Sequence, residues 1–349
     1  MVIRFATQLD ADKIMKAIND HWDSCHILAH NKDFFLYYFN GDDKHINMVI
    51  GEEQETGEIA GFLGYKKYNS ADCSDIAIIL WKIVDGKASS LGINLLFFLF
   101  QNIKYALSSG IGVNPKTALP IYKSLKYQVG LLEHYYRISD RDEYKIAKIA
   151  DKRILPLPAT DSGWDILHIP DFEMFSEKID DSLLKERYPH KDKCYFNNYF
   201  FAHPVFSYKI YGITEKSADA MPALFVCREV EKFGAKILRI VDYIGEEIYF
   251  SYLSLSLQKL MYDNDYEYID CYCIGMSEKA MNGAGFILRK EDDPNIIPNH
   301  FEPFVCKNID IYYSTNKIDK FRAFRADGDQ DKPRLYDRNL TQAKEKSNG

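Results

Sequence analysis

Apolar and polar positions along the first 140 residues switch between a period of two and a period near 3.6, which predicts alternating strands and helices. Residues 2–6 read as a short strand. Residues 9–22 carry Ile14, Met15, Ala17, Ile18 and Trp22 on one helical face, opened by Asp10 or Asp12. A second short helix covers 32–39. Stretches 46–52 and 59–68 form a hairpin around the turn-rich 53–57, and 76–84 is an apolar central strand. A polar loop at 85–90 leads into a buried helix over 91–108, a short strand at 110–113, a helix at 117–125 and a closing strand at 127–138.

The charged stretch 140–153 has no core pattern, and Leu155-Pro-Leu-Pro158 punctuates the chain, so a boundary falls there. Beyond it, 166–169 reads as a strand and 172–185 as a helix. Residues 195–201 and 208–213 are aromatic and extended, and 223–231 and 235–243 are strands around the turn 232–234. Then come a helix at 248–263, a strand at 268–272, a helix at 278–285, and strands at 285–288 and 309–313. The expectation is an α/β fold of mixed-sheet, α+β character. Residues 1–145 and 160–331 form two domains of one element order, followed by a polar tail at 332–349.

Composition fits this picture. At about 150 residues per domain, 349 residues suit two domains. A net charge of −7 offers no global basic field for nucleic acid or an anionic membrane. The most apolar run, 91–100, is half of what a membrane span needs, and the N-terminus lacks a signal-peptide core. Seven scattered cysteines suggest reduced, buried thiols in a cytoplasmic protein, without the ligand spacing of a zinc site. Tyr 25, Phe 22 and Trp 3 exclude disorder over most of the length.

Two stretches carry chemistry. Ile83-Val-Asp-Gly-Lys-Ala-Ser-Ser-Leu-Gly92-Ile93-Asn94 reads as strand, loop and helix start. Unsatisfied N–H donors and the positive dipole end at a helix start attract an anion. Gly92 either lets backbone approach a phosphate or permits tight helix–sheet packing. The second stretch is Gly112-Val-Asn114-Pro-Lys-Thr-Ala118-Leu-Pro-Ile-Tyr122-Lys-Ser-Leu-Lys126-Tyr127. Tyr122 there is either a half-buried core tyrosine or a proton donor.

Together these stretches resemble the GCN5-related N-acetyltransferase superfamily, with its Q/R-x-x-G-x-G/A loop and its N-x-x-A-x-x-x-Y-x-x-x-G-F segment. Ser89 stands for the Gln or Arg, Asn94 for the last small residue, and Lys126-Tyr127 for the Gly-Phe ending. The resemblance implies a V-splayed sheet that binds acyl-coenzyme A. It assigns donor binding to Ile83, Val84, Ser89, Ser90, Leu91, Gly92, Ile93, Asn94 and Asn114, and protonation of the departing thiolate to Tyr122.

The second half repeats the segment at 273–286 with Gly285-Phe286 intact, but Gly283 or Ala284 fills the tyrosine position. Glu246 and Glu247 stand where a pyrophosphate would sit, so this domain resembles a degenerate copy that does not hold coenzyme A. The stretches around His26–Phe35, Asn197–Pro204, His300–Phe304 and Asp327–Asp331 are similar to bacterial tandem proteins associated with surface-polysaccharide biosynthesis. That likeness implies an amino-sugar acceptor, often nucleotide-linked.

His26 titrates near neutrality and is a candidate base for the attacking amine, with Glu133 a second candidate. His300, Glu302, Asp327 and Asp329 are candidates for acceptor binding. A lone histidine is more often structural. Asp327, Asp329 and Asp331 resemble an oxygen-ligand loop but lack the spaced acidic residue of a calcium site, so no metal is expected. The expected reaction is that of an acyltransferase of the EC 2.3.1 type: an amine attacks the thioester of acetyl-CoA, or another acyl-CoA, directly. Two rivals stand beside it. One is an aminoacyl-tRNA-dependent transferase of the same doubled fold, which wants a basic surface. The other is a non-catalytic sugar-binding scaffold using exposed aromatics such as Phe34, Phe35, residues 195–201, Phe301 and Phe304.

Overall fold

The apolar strand runs assemble into two large mixed sheets in a computed structural model that describes residues 1–42, 44–88, 90–216, 220–301 and 303–328. Ser89, Glu302, Asp329 and the tail at 332–349 lie outside the described residues. In chain order the strands are β1 (Val2–Thr7), β2 (His45–Glu52), β3 (Ile59–Lys67), β4 (Ser74–Ile83), β5 (Tyr105–Ile111), β6 (Gln128–Leu131) and β7 (Glu133–Ile138). They continue with β8 (Trp164–Ile169), β9 (Tyr208–Glu215), β10 (Ala223–Lys232), β11 (Ala235–Gly245), β12 (Tyr266–Ile274) and β13 (Ile287–Leu288). The last are β14 (His300–Phe301), β15 (Phe304–Val305), β16 (Tyr312–Thr315) and β17 (Ala323–Phe324). The helices are α1 (Ala11–His21), α2 (Ile27–His30), α3 (Lys32–Tyr38), α4 (Ser90–Asn102), α5 (Ala118–Ser124) and α6 (Phe172–Lys178). After them come α7 (Lys193–Phe196), α8 (Glu247–Ser251), α9 (Ser254–Asp263) and α10 (Glu278–Gly283).

One unit comprises Met1–Val129 with Tyr313–Lys317 and Gly328. Its sheet runs β1-β2-β3-β4-β5-β16-β6, antiparallel except for the parallel pair β4–β5 among its registered pairs. Leu91, Leu95, Leu96 and Leu99 of α4 bury against Val49, Leu63, Ile76 and Ile78. Each such side chain contributes about 1.5–3 kcal/mol. The helix presses close because Gly51 and Gly61 carry no side chain: a Cβ would lie 3.0 Å from Leu91 Cδ1 at Gly51 and 3.3 Å from Leu91 Cδ2 at Gly61. The helix read from sequence as 91–108 ends at Asn102, whose amide donates back to Phe98 O at 2.8 Å. Ser108 and Ser109, polar in sequence, instead extend β5 because β4 and β16 offer ladder partners on its two sides.

The other unit comprises Gly130–Tyr312 and Ile318–Asp327. Its sheet runs β13-β7-β12-β11-β10-β9-β8, again with one parallel pair, β11–β12, and with β17 on β12. The two sheets share one plan. In each, the strand beside the parallel pair is drawn from the other half of the sequence: β16 beside β5, and β7 beside β12. The division therefore falls earlier than 140–158. The single strand expected over 127–138 is two strands, broken at Leu132, whose N–H donates to Ile311 O at 2.8 Å.

Residues 195–201 are helical rather than extended. Asp192 caps the Tyr195 N–H at 2.7 Å, and the aromatics meet at i,i+4, with Tyr195 stacked on Tyr199 at 5.3 Å. Phe34, Phe35, Phe196 and Phe200 are core residues, which removes most of the exposed aromatic surface a sugar-binding scaffold would use. Of the cysteines, Cys227, Cys271 and Cys273 are buried as expected, whereas Cys25, Cys73 and Cys194 are exposed. No described helix is long and apolar enough to cross a membrane.

Candidate active site

In the first unit β4 and β5 pair through Ser74↔Tyr105, Ile76↔Ser108 and Ala77↔Ser109, and the pairing stops there. β4 continues from Ile78 to Ile83 paired with β3 alone, while Gly110 and Ile111 of β5 pair with Ser314 and Tyr313 of β16. The sheet thus opens as a V whose arms are the ends of two parallel strands.

The N-terminus of α4 stands at the end of the β4 arm. Gly86, at φ 82°, turns the chain, and Lys87 N–H and Leu91 N–H close successive turns onto Val84 O and Ala88 O at 3.1 and 3.0 Å. Val84, Leu91 and Gly92 are buried, Ile83 and Ile93 half-buried, and Ser90 and Asn94 exposed. A Cβ on Gly92 would lie 3.4 Å from both Trp81 Nε1 and Ile83 Cγ1, so this face of the helix packs against the β4 end. What this end offers a ligand is the backbone N–H row of the first turn. Lys87, the nearest cation, is paired with Glu53.

Tyr122 projects from α5 and is 2% exposed. Its ring meets Trp81, on the part of β4 that has left β5, edge-on at 6.0 Å, and Tyr127 at 5.1 Å. Burial, and secondarily Tyr127, push the Tyr122 hydroxyl well above the usual tyrosine range, with Ser314 opposing. Tyr127 is raised likewise by burial, with Ser108 opposing. Trp81, Tyr127, Ser108 and Ser314 complete this nest. Tyr127 closes the recognised motif, but the sequence carries no local signal for the others, and Ser314 arrives from far down the chain.

The remaining residues singled out from sequence are dispersed. Asn114 is exposed, and its Oδ1 accepts from the Lys116 and Thr117 N–H groups at 2.9 and 3.2 Å, initiating α5. His26 caps α2: its Nδ1 accepts from Leu28 N–H at 3.1 Å and its ring stacks on Trp22. That places the ring proton on Nε2 and leaves no basic lone pair for an amine. Glu133 opens β7 in the second unit, where it accepts from the Tyr135 hydroxyl at 3.1 Å. His300 is also in that unit, its Nδ1 2.9 Å from Pro303 O. Asp327 is fully buried and lies 2.8 Å from Lys191.

The second unit has the same opening in outline, but its own chain fills it. β11 and β12 pair as far as Ile240↔Cys271, and then Cys273 and Ile274 pair with Phe324 and Ala323 of β17. Arg322 joins the two strand ends, donating to Gly245 O and, at 3.1 Å, to Gly275 O. Buried Lys191 lies 2.6 Å from Asp242 and 2.8 Å from Asp327. Burial, with Asp327 adding to it, raises Asp242 to about 6 against the pull of Lys191. Glu247 is engaged in accepting from Ser277 N–H at 2.7 Å.

No protein-family model and no curated protein matches the chain. Solved structures do. A GCN5-related N-acetyltransferase from Anabaena variabilis aligns over 90% of this chain and 72% of its own, at 11% identity and TM-score 0.53. A conserved Enterococcus faecalis protein of unknown function, described as a probable N-acyltransferase, aligns over the same shares at 10% identity and TM-score 0.53. The GCN5-related glucosamine N-acetyltransferase region of a fungal multi-domain β-N-acetylglucosaminidase aligns over 89% of this chain and 38% of that one, at 8% identity and TM-score 0.50. These likenesses show the fold, which is that of the GCN5-related N-acetyltransferases.

Proposed function

We propose that the protein is an acyl-CoA-dependent N-acyltransferase whose donor enters the V of the first unit. The observation that carries this reading is that β4 outruns its pairing with β5 exactly where a helix N-terminus and a buried tyrosine hydroxyl converge. An extended pantetheine arm can use the unpaired edge of β4 as a strand would, and the pyrophosphate can take the first-turn N–H groups of α4. Backbone donors along the same edge are suited to the oxyanion of the tetrahedral intermediate.

Tyr122 is the proton donor in this scheme. Its burial keeps it neutral at physiological pH, so it meets the departing sulfur as a hydrogen-bond donor, and its proton moves as negative charge builds there. The amine loses its proton to water, since the Nδ1 of His26 is engaged in a cap. The acceptor we propose is an amino sugar, nucleotide-linked in a polysaccharide-building context. The sequence likenesses around His26, His300 and Asp327 support this, as does the existence of the fold in a region described as a glucosamine N-acetyltransferase.

Calorimetric titration with acetyl-CoA tests the donor, and thiol release across a panel of amino sugars tests the acceptor. Heat and thermal stabilisation with acetyl-CoA are expected. Their absence at millimolar donor overturns the reading for that donor. Tyr122→Phe is expected to cut turnover by about 10²–10⁴-fold with donor affinity unchanged. Unchanged turnover removes Tyr122 from the chemistry.

A further inference from the structure

The second unit contains charged groups that the reaction does not use. Arg322 is 4% exposed. Its Nε and Nη1 are satisfied by Gly275 O and Gly245 O, while Nη2 is buried without a hydrogen-bond partner among the described residues. Arg187 pairs through Nη2 with Glu246 at 3.0 Å, and its Nε is likewise buried without a partner. Both guanidiniums line one recess, together with Tyr188, Lys191, Tyr243 and Gly245. A buried donor left unmade costs about 1–3 kcal/mol, more when charged, and here two residues lining one recess each carry one.

We propose that this recess binds an oxyanion, a carboxylate or phosphate group of a small ligand, between Arg187 and Arg322. One spare guanidinium nitrogen on each arginine, Nη2 of Arg322 and Nε of Arg187, suits an oxyanion that bridges the two. The two arginines also repel each other, and an anion between them relieves that. Lys191 adds no free charge, being held by Asp242 and Asp327. The opposing groups are Glu186, which lines the same recess, and Glu246, which is paired with Arg187. Tyr243, stacked near Arg322 at 5.5 Å, gives the ligand an apolar wall. The site stands apart from the acyl-transfer reading and survives its failure, because it belongs to the other unit and is tested with anions rather than donors.

The test is thermal stability and calorimetry of the full chain with sodium phosphate and sodium acetate, each against sodium chloride at matched ionic strength. Saturable stabilisation by phosphate or acetate beyond chloride is expected, and whichever binds more tightly identifies the headgroup. Arg187→Gln, at a half-exposed position, is expected to weaken that binding by about ten- to a hundredfold. Glu186→Gln is expected to tighten it. Arg322→Lys keeps the charge and loses the fork, so it is expected to bind more weakly, with its melting point in chloride reporting whether the strand ends stay joined. Equal effects of all three salts, or wild-type affinity in Arg187→Gln, overturn the proposal.

Discussion

Lys126 sits at φ 61°, a left-handed conformation in which an L side chain costs about 1–2 kcal/mol. The corresponding residue in the second unit is Gly285, at φ 85°. The Gly-Phe ending of the recognised segment therefore has a backbone reason, the reversal after the helix, and this chain keeps the reversal while losing the glycine. Lys126→Gly should stabilise the protein by about 0.5–1 kcal/mol in urea unfolding, less than the full strain because glycine loses more entropy on folding. A loss of stability would mean the lysine side chain makes a contact worth more than the strain. The spacing from Asn114 to Tyr122 was legible in sequence because one turn and the helix it starts carry it. The roles of Asn114 and His26 were not, because turn initiation and capping are settled by local backbone geometry that residue type leaves open.

Element boundaries followed the same logic. Strands with apolar partners on both faces, such as Ser74–Ile83 and Tyr266–Ile274, were readable because burial dictates composition. The extension of β5 through Ser108 and the helical turn of 195–201 were not, since ladder partners and i,i+4 ring contacts are properties of neighbours. β7 and β12 also bury ionisable groups that sequence leaves anonymous. His134 stacks on Tyr272 at 3.9 Å and lies 3.6 Å from Asp270, which is held to about 2 against its burial by Arg239 and His134. Burial lowers the His134 pKa below its free value of 6.5. A depressed histidine means the unfolded chain binds the extra proton first, so its contribution to stability is complete above pH 6.5 and is lost as pH falls. The stability difference between wild type and His134→Phe should therefore shift against wild type below pH 6.5, by at most about 1.4 kcal/mol per pH unit. Parallel pH profiles for the two proteins would remove this account.

For the whole molecule, a mixed α/β fold was legible from element order alone, but the exchange of strands between the sheets was not. Nothing in the composition of Glu133–Ile138 or Tyr312–Thr315 says which sheet takes them, because both are ordinary buried strands. The consequence is sharp for dissection. A fragment of residues 1–145 lacks Tyr313–Thr315, and with it the partner of Gly110 and the Ser314 hydroxyl facing Tyr122. Such a fragment should show no cooperative unfolding transition and no acetyl-CoA heat, whereas the full chain shows both. A folded, donor-binding fragment would show that β16 is dispensable.

The same exchange sets a clock on biosynthesis. β5 leaves the ribosome with its hydrogen-bonding edge open, and the strand that covers it, pairing Ile111 with Tyr313, is translated roughly 200 residues later. At about 5–20 residues per second, that edge waits some 10–40 s unpaired, long enough for a neighbouring nascent chain to add to it. Slower elongation through the second half of the message would lengthen the hazard, and chaperone capture of the nascent first half is where the cell would have to meet it.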